Sequence, residues 1–595
     1  MKYFYTFLLL FAIHLTFSQT NQKQYDYFVQ FNGNQLSKKV SIADVLNHPL
    51  MNKYKESKDY LDLDKYVALF QLDQKLTIHG NFTDSIPYYQ VTIPIKSRAS
   101  FKQFLIEKHT VNQDTDSVEV PVIQDFAKYS VYAPKNQKMS FAWNDNYLVI
   151  VELTKKYTSD KYTPNHEAVV DSVSVTEPYN EAIDIAVDST TTQTEEDYSE
   201  TNNAEYEKAE ADFNALQSEK QNLFIKSLFE NGFVAPSSDK INVTADISSW
   251  LNYSSVMSKF NETYGALSQF ASYNKFLPLQ QNASNLVKGI NLDFYFDNDN
   301  ARVEEIIEYS ESMAAVAEKI TNRKINKNIF NYFPDQKPLG YMSYHINSKA
   351  ALENFPSLTA QLFQNPQLVK EDVTLVADLI STIVDEEATA TLFDGDLSMF
   401  LYNMKEIEVT TKSYGYDENY EETVTEQKTK KNIPLFSIVF TSTHPTFGDK
   451  LIQLGIRKKM LVQKGDFYQI IGTEDYGNVF IKKDKDVVII ANTLDYFTTG
   501  NGTFTKEAKK ALKKNYISGQ LNFDGIANAY DKTSEAKETD SKKIKTLSQQ
   551  FRDFTFESPK KLIDNKLIFE FKLNTIKSDK NIILQTLDLA DELSK

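Results

Sequence analysis

The sequence predicts an α+β fold of two similar halves, each a largely antiparallel sheet with helices packed on one face. Three observations predict it. Short apolar runs alternate with period two, then pass through polar turns into apolar stripes of helical period. Aromatic residues are abundant, with 40 Phe and 34 Tyr, and ring side chains suit a pleated face. The order of these strand–helix pieces recurs along the chain as long, short, long, short, the pattern of a duplicated pair.

The reference unit is Pro87–Lys108. Tyr89, Val91, Ile93 and Ile95 alternate with Tyr88, Gln90, Thr92 and Pro94, a strand with one buried face. Phe101, Phe104 and Leu105 then stand at i, i+3, i+4, a helical stripe. Before this unit, Tyr27–Phe31 reads as a strand and Asn32-Gly33-Asn34 as a turn. Ile42, Val45 and Leu46 read as a short helix stopped by Pro49, and Tyr66–Leu72 and Leu76–His79 as strands. After it, Tyr129–Tyr132, Met139–Trp143 and Tyr147–Leu153 form a meander, with Asn144-Asp145-Asn146 as a tight turn. These pieces make a first module, residues 24–155.

Residues 157–215 interrupt it. Positions 160–212 hold fifteen Asp or Glu against two Lys and few large apolar side chains. Such a segment cannot bury enough surface to offset its ordering entropy, so a disordered acidic insert is expected. Ala204–Glu230 regains Ala, Glu, Lys and Leu at helical spacing. The second module reads as a strand at Ile241–Ala245 and a helix opening at Ile247, Trp250 and Leu251 behind Asp246 as N-cap. Gly289–Tyr309 then repeats the reference unit, with Ile290, Leu292, Phe294 and Phe296 alternating and Val303, Ile306 and Ile307 as the helical stripe.

The third module begins after Pro338, with a strand at Gly340–Ile346 and helices at Ala350–Phe363 and Val373–Val384. Strands at Ala390–Phe393 and Leu397–Tyr402 follow, joined at Asp394-Gly395-Asp396. Pro434–Gly455 is the matching strand–helix unit; Phe467–Ile471, Val479–Lys482 and Val487–Ala491 repeat the meander. The charged, Tyr-rich residues 412–432 read as an exposed insertion. The fourth module has a strand at Tyr516–Phe523, a short helix at Ile526–Tyr530, and a final strand–turn–helix at Lys566–Leu587. The predicted halves are residues 21–325 and 335–595.

Met1–Thr20 has Lys2, a mostly apolar run Phe4–Phe17, and small Ser18 before Gln19. It reads as a secretory signal over residues 1–19, being short of the ~20 residues a membrane span needs. The absence of Cys excludes disulfides, thiolate metal sites and a Cys nucleophile. A net charge of −16 argues against nucleic acid, whose phosphates need clustered Lys and Arg.

Reactive constellations are absent from the spacing. His48, His79, His109, His166, His345 and His444 have no i+2 or i+4 partner, as a local zinc site would require. Ser-x-x-Lys occurs at Ser237, Ser534 and Ser558 without companion motifs, and no Gly-x-Ser-x-Gly elbow or phosphate-binding Gly loop is present. Asp297 and Asp299 resemble the start of a calcium loop but lack its Gly and later ligands, and Asp394 and Asp396 read as turn residues. Trp143 and Trp250 read as core residues rather than sugar platforms. No catalytic, cofactor-binding or metal-binding residue is assigned.

Phe17-Ser18-Gln19, NHPLMNKY at Asn47–Tyr54 and VTIPIKSRASFKQFL at Val91–Leu105 resemble a domain-of-unknown-function family of exported, often lipid-anchored proteins of Bacteroidota-type bacteria. The resemblance implies a Gram-negative-type envelope address, periplasm or cell surface, and supplies no functional residues. The lipobox Cys of the anchored members has no counterpart here. The expected function is therefore that of an exported, non-enzymatic binding or scaffold component. Its partner would be an envelope protein or ligand, with no integral span left after signal cleavage. The alternatives are a hydrolase using scattered carboxylates and a carrier of an apolar ligand.

Overall fold

The computed structural model describes residues 25–55, 63–83, 86–111, 121–134, 138–154, 197–233, 240–257, 286–362, 375, 379, 385–416, 422–493, 495, 502–533, 538–577 and 579–594. The expected signal 1–19, residues 157–196 of the expected disordered insert 157–215 and nearly all of the expected helix 373–384 lie outside them; residues 197–215 of that insert are not disordered but open the helix Asp197–Asn231. The fold is α+β, with antiparallel strand pairing. Contacts divide the chain into two units. The first holds residues 84–91 and 97–234, the second residues 24–83, 92–96 and 235–595.

The second unit opens with β1 (Tyr27–Asn32) and β2 (Lys75–Asn81), paired in register from Tyr27 opposite Gly80. β1 alternates half-buried and buried residues, so Phe28 is fully enclosed and its ring stacks on His79. The first unit follows. β3 (Tyr88–Pro94) begins in it and runs into the helix Arg98–Val111, the order the reference unit predicts, but the buried face is the other one: Tyr88, Gln90, Thr92 and Pro94 are buried while Tyr89 and Ile93 are half-buried. Then come β4 (Ile123–Asp125), β5 (Ser130–Tyr132), β6 (Met139–Trp143) and β7 (Tyr147–Leu153), a meander of the expected order with β4 added at its start.

The helix Asp197–Asn231 packs Ile225 and Leu228 onto Tyr129, Val131, Val149 and Val151 to form the first unit's core. Gln221 pins it in place. Its Oε1 accepts from Leu153 N (2.9 Å), and its Nε2 donates to Ser140 Oγ (2.7 Å) and Lys138 O (3.0 Å). Trp143 is fully buried, with its indole N–H donating to Arg98 O and its ring edge-on to Phe101.

In the second unit the remaining strands are β8 (Ile247–Asn252), β9 (Val287–Phe296), β10 (Asn300–Tyr309), β11 (Gly340–His345), β12 (Asp396–Tyr416), β13 (Glu422–Thr441), β14 (Leu461–Lys464), β15 (Phe467–Ile470), β16 (Phe480–Asp484), β17 (Val487–Ala491), β18 (Asn515–Asn522), β19 (Phe551–Pro559) and β20 (Lys566–Thr575). Their order is β2–β1–β8–β9–β10–β20–β19–β18–β11–β12–β13–β17–β16–β15–β14, each pair antiparallel. The β10–β20 ladder, from Asn300 opposite Asn574 to Glu308 opposite Lys566, joins sequence on both sides of residues 325–335.

The largest core gathers Phe333, Phe400, Ile329, Val439, Ile489 and the helix Thr503–Lys514 through Phe504, Ala508 and Leu512. The spacing i, i+4, i+8 puts those three on one face, leaving the lysines outside. Phe504 and Leu512 each contribute about 1.5–3 kcal/mol on burial.

Several elements differ from expectation. Val303, Ile306 and Ile307 lie on strand β10, not on a helix. Every residue of β10 is half-buried, so neither face shows the alternation that would have marked a strand. Ile247–Leu251 is likewise strand β8, and Asp246 caps nothing: it accepts from Phe296 N (2.6 Å) and pairs with Lys39. Residues 241–245 form turns; residues 66–69 are the end of the helix Leu63–Leu69; residues 390–392 end the helix Glu386–Leu392, which Asp385 caps. Gly33 starts a short helix, Gly33–Leu36, and Pro49 opens the helix Pro49–Lys55, where its missing N–H costs nothing. Residues 412–416 and 422–432 are strand, the outer part of the β12–β13 hairpin.

Candidate interaction surface

The weighed residues fall into two groups. Those that sequence left as isolated turn or core residues include a buried cluster in the second unit. Strands β11 and β12 place His345 directly opposite Asp396. His345 Nδ1 lies 2.8 Å from Asp396 Oδ1. Arg323, just past the helix Glu311–Thr321, donates from Nε to Asp396 Oδ1 (2.9 Å) and from Nη2 to Asp396 Oδ2 (2.9 Å) and Asp394 Oδ2 (2.7 Å). The Asn326 backbone N–H completes the set at 2.9 Å from Asp396 Oδ2.

Burial opposes the Asp396 charge, but the His345 and Arg323 hydrogen bonds outweigh it and hold the carboxyl below its ordinary range. For His345 the balance is reversed. Burial lowers its pKa more than Asp396 raises it, so the imidazole is neutral, with Nδ1–H on Asp396. Its Nε2 is buried without a hydrogen-bond partner. An Asp–His pair is half of a nucleophile-activating relay, but among the described residues no hydroxyl reaches Nε2, and both side chains are fully enclosed. The cluster as arranged locks β11, β12 and the chain after the 311–321 helix together.

The other candidates are local and structural. His48 Nε2 meets Asp588 at 3.0 Å, and its Nδ1 accepts from Leu50 N. His444 Nδ1 accepts from Thr446 N and Phe447 N. Asp297 pairs with Lys39 in the β9–β10 turn. Trp250 carries the Lys240 ammonium 3.8 Å above its ring. Ser558 is buried on β19, while Ser237, Ser534, His166 and the side chain of His109 lie outside the described residues. Among the described residues no group of three or more His, Asp or Glu could hold a metal ion. A cleft of about 320 Å³ beside the helices Phe523–Tyr530 and Glu538–Gln550 has a mixed lining, with Asp524, Asn528, Asp531 and Lys545 beside the apolar Ala527 and Ile576.

What the fold places in solvent is the outer β12–β13 hairpin. β12 pairs with β11 only as far as Leu401, after which its register against β13 shifts, and β13 pairs with β17 only from Ser437 onward. Val409 and Ile433 are still buried, the latter beneath the turn at Gly477. Beyond them Thr410, Lys412, Tyr414, Gly415 and residues 423–428 are all exposed. This two-stranded ribbon is about 20 Å long, at ~3.3 Å per residue. One face carries cross-strand ion pairs, Glu406–Lys430, Glu408–Lys428 and Lys412–Glu426, and ends in Tyr414 opposite Val424, 66% and 51% exposed.

No family model matches the chain, and no curated protein matches it. Two solved structures, crystal forms III and I of TP0453, align with 51% of this chain and with 80% and 79% of theirs, at 8% identity. Their TM-scores of 0.22 and 0.18 are too low for a shared fold.

Proposed function

We propose that the protein is an exported, non-enzymatic binding component of a cell envelope, and that its β12–β13 ribbon engages a partner polypeptide. The ribbon carries the reading. A two-stranded hairpin alone in water is marginally stable, and its edges invite strand addition. The sequence nevertheless extends it for seven residues a side past its last buried contacts and sets Tyr414 and Val424 at its end. Its lysines and glutamates alternate and pair, so it presents no single-sign field of the kind a phosphate surface selects. Main-chain edges with mixed charge suit another polypeptide chain. The signal-like residues 1–19 and the resemblance to exported proteins support the envelope address. No helix among the described residues is long and apolar enough to cross a membrane.

The test uses the absence of cysteine. Tyr414→Cys carrying a photo-crosslinker, expressed in the source cells, is expected to yield one discrete adduct in the envelope fraction. Replacing residues 410–428 by a tight turn should abolish capture of that partner while leaving the protein folded. Capture that survives this deletion would sink the proposal, as would hydrolysis of a glycan, peptide or ester panel abolished by a single carboxylate substitution.

A further inference from the structure

A second exposed surface of the same unit has a different character. The helix Phe447–Arg457 is strongly amphipathic, yet none of its residues is buried. Its inner side is Ile452, Gly455 and Ile456, with Leu461 of β14 packed where a Cβ on Gly455 would stand. Its outer side is Phe447, Leu451 and Leu454, spaced i, i+4, i+7 and 40%, 50% and 42% exposed. Lys459, at φ +56°, ends the helix in the left-handed region and turns Met460 (62% exposed) and Val462 back alongside. The result is a row of large apolar side chains facing solvent on a fixed platform. Asp449 ties that platform to Lys483 of β16 at 3.0 Å.

The charge around this row is of one sign. Residues 447–464 carry Lys450, Arg457, Lys458, Lys459 and Lys464 against the single carboxylate of Asp449, in a chain of net charge −16. Among the described residues Lys450, Arg457, Lys458 and Lys459 enter no ion pair, while Asp449 is neutralised by Lys483. On the helix Lys450 and Arg457 flank the Phe447–Leu451–Leu454 row on one side. An apolar row bordered by cations that no described residue neutralises is the pattern of a helix lying in a bilayer interface. A protein partner would have to supply both an apolar groove and several unpaired carboxylates; an anionic lipid surface supplies both at once.

We infer that the segment Phe447–Lys464 docks on an anionic lipid surface, with Phe447, Leu451, Leu454 and Met460 entering the headgroup–acyl boundary and Lys450, Arg457 and Lys458 meeting lipid phosphates. This surface is separate from the ribbon and can fail without it.

The chain has no cysteine, so Met460→Cys can carry a single environment-sensitive fluorophore, and Lys412→Cys on the ribbon serves as control. The folded protein is mixed with vesicles of phosphatidylcholine alone or with phosphatidylglycerol added. The Met460→Cys probe is expected to shift to the blue only on the anionic vesicles, and the Lys412→Cys probe to remain water-exposed. Lys450→Glu with Arg457→Glu and Lys458→Glu should lower the bound fraction at least about tenfold. Leu451→Ser with Leu454→Ser should abolish the shift even at low salt. All five positions are exposed, and circular dichroism verifies the fold of each variant. No shift on anionic vesicles would overturn the inference. So would an equal shift on neutral vesicles, a matching shift of the ribbon probe, or a shift produced by an envelope protein extract and not by vesicles.

Discussion

Asp396→Asn tests whether the buried cluster holds the second unit together. The two oxygens of Asp396 accept four hydrogen bonds: His345 Nδ1 and Arg323 Nε on Oδ1, Arg323 Nη2 and the Asn326 N–H on Oδ2. Asparagine keeps the shape but turns one acceptor into an NH₂ donor, which then faces two donors at contact distance. It also removes the charge that compensates a nearly enclosed guanidinium. Breaking a buried pair from one side costs about 3–5 kcal/mol. Asp394, still 2.7 Å from Arg323 Nη2, retains part of the compensation, so the lower end of that range, about 3 kcal/mol, is expected. That is a large share of the ~5–15 kcal/mol typical of a folded domain. The assay is urea unfolding followed by tryptophan emission. Trp143 lies in the first unit and Trp250 in the second, so a Trp143→Phe background reports the second unit alone. With a slope of about 2–3 kcal/mol/M, the midpoint should fall by about 1–1.5 M. A fall of less than about 0.3 M would refute the assignment. So would an equal loss seen through Trp143 in a Trp250→Phe background, because the cluster belongs to one unit.

Three further outcomes follow, the first from the same cluster and the others from the meander and the ribbon. His345 is held neutral by burial, which outweighs its bond to Asp396, so its folded pKa is below its unfolded value. The unfolded chain therefore binds the extra proton first: stability is constant above about pH 6.5 and falls below it by up to ~1.4 kcal/mol per unit for this group. His345→Gln should remove about one proton's worth of that slope in urea midpoints measured between pH 7 and 5, and an unchanged slope would contradict the reading. Gln221→Leu deletes three hydrogen bonds that fasten the 197–231 helix to the meander and should cost about 2–3 kcal/mol, seen through Trp143 and not Trp250. Replacing residues 410–428 by a tight turn should leave both units' unfolding midpoints within about 0.5 kcal/mol of the parent, since no residue described there is buried.

Strands with one wet face were legible because their chemistry is written every second residue. The alternation at Ile290, Leu292, Phe294 and Phe296 marks β9 as a strand, but the structure half-buries that face and fully buries the other, Gly289, Asn291, Asp293 and Tyr295; Tyr88–Leu105 switches from period two to helical spacing where β3 meets its helix. β10 was not legible, since Val303, Ile306 and Ile307 satisfy a helical stripe as well as a strand that is half-covered on both faces. Its true partner is fixed by tertiary context: β10 pairs with β20, more than two hundred and fifty residues away, and propensity cannot decide that pairing. The helix Glu386–Leu392 was masked in a similar way. Its Ala and Thr residues look strand-like until Asp385 is seen accepting from Ala388 N and setting the first turn.

The two surfaces and the cluster differ in what local sequence can carry. Arg323, His345 and Asp396 come together only because β11 and β12 set His345 opposite Asp396, so inspection for ligands at i+2 or i+4 passes over them. The basic run from Lys450 to Lys464 is passed over in a reading of the sequence, and an apolar stripe at Phe447, Leu451 and Leu454 reads by default as a core face. Only the fold shows otherwise, because β14 covers the opposite side of that helix through Leu461 against Gly455. A helix has one apolar side to bury in its own protein. When a second apolar row remains outside, bordered by unpaired cations, the burial it lacks must come from another phase or another molecule, and its charge selects the negatively charged one.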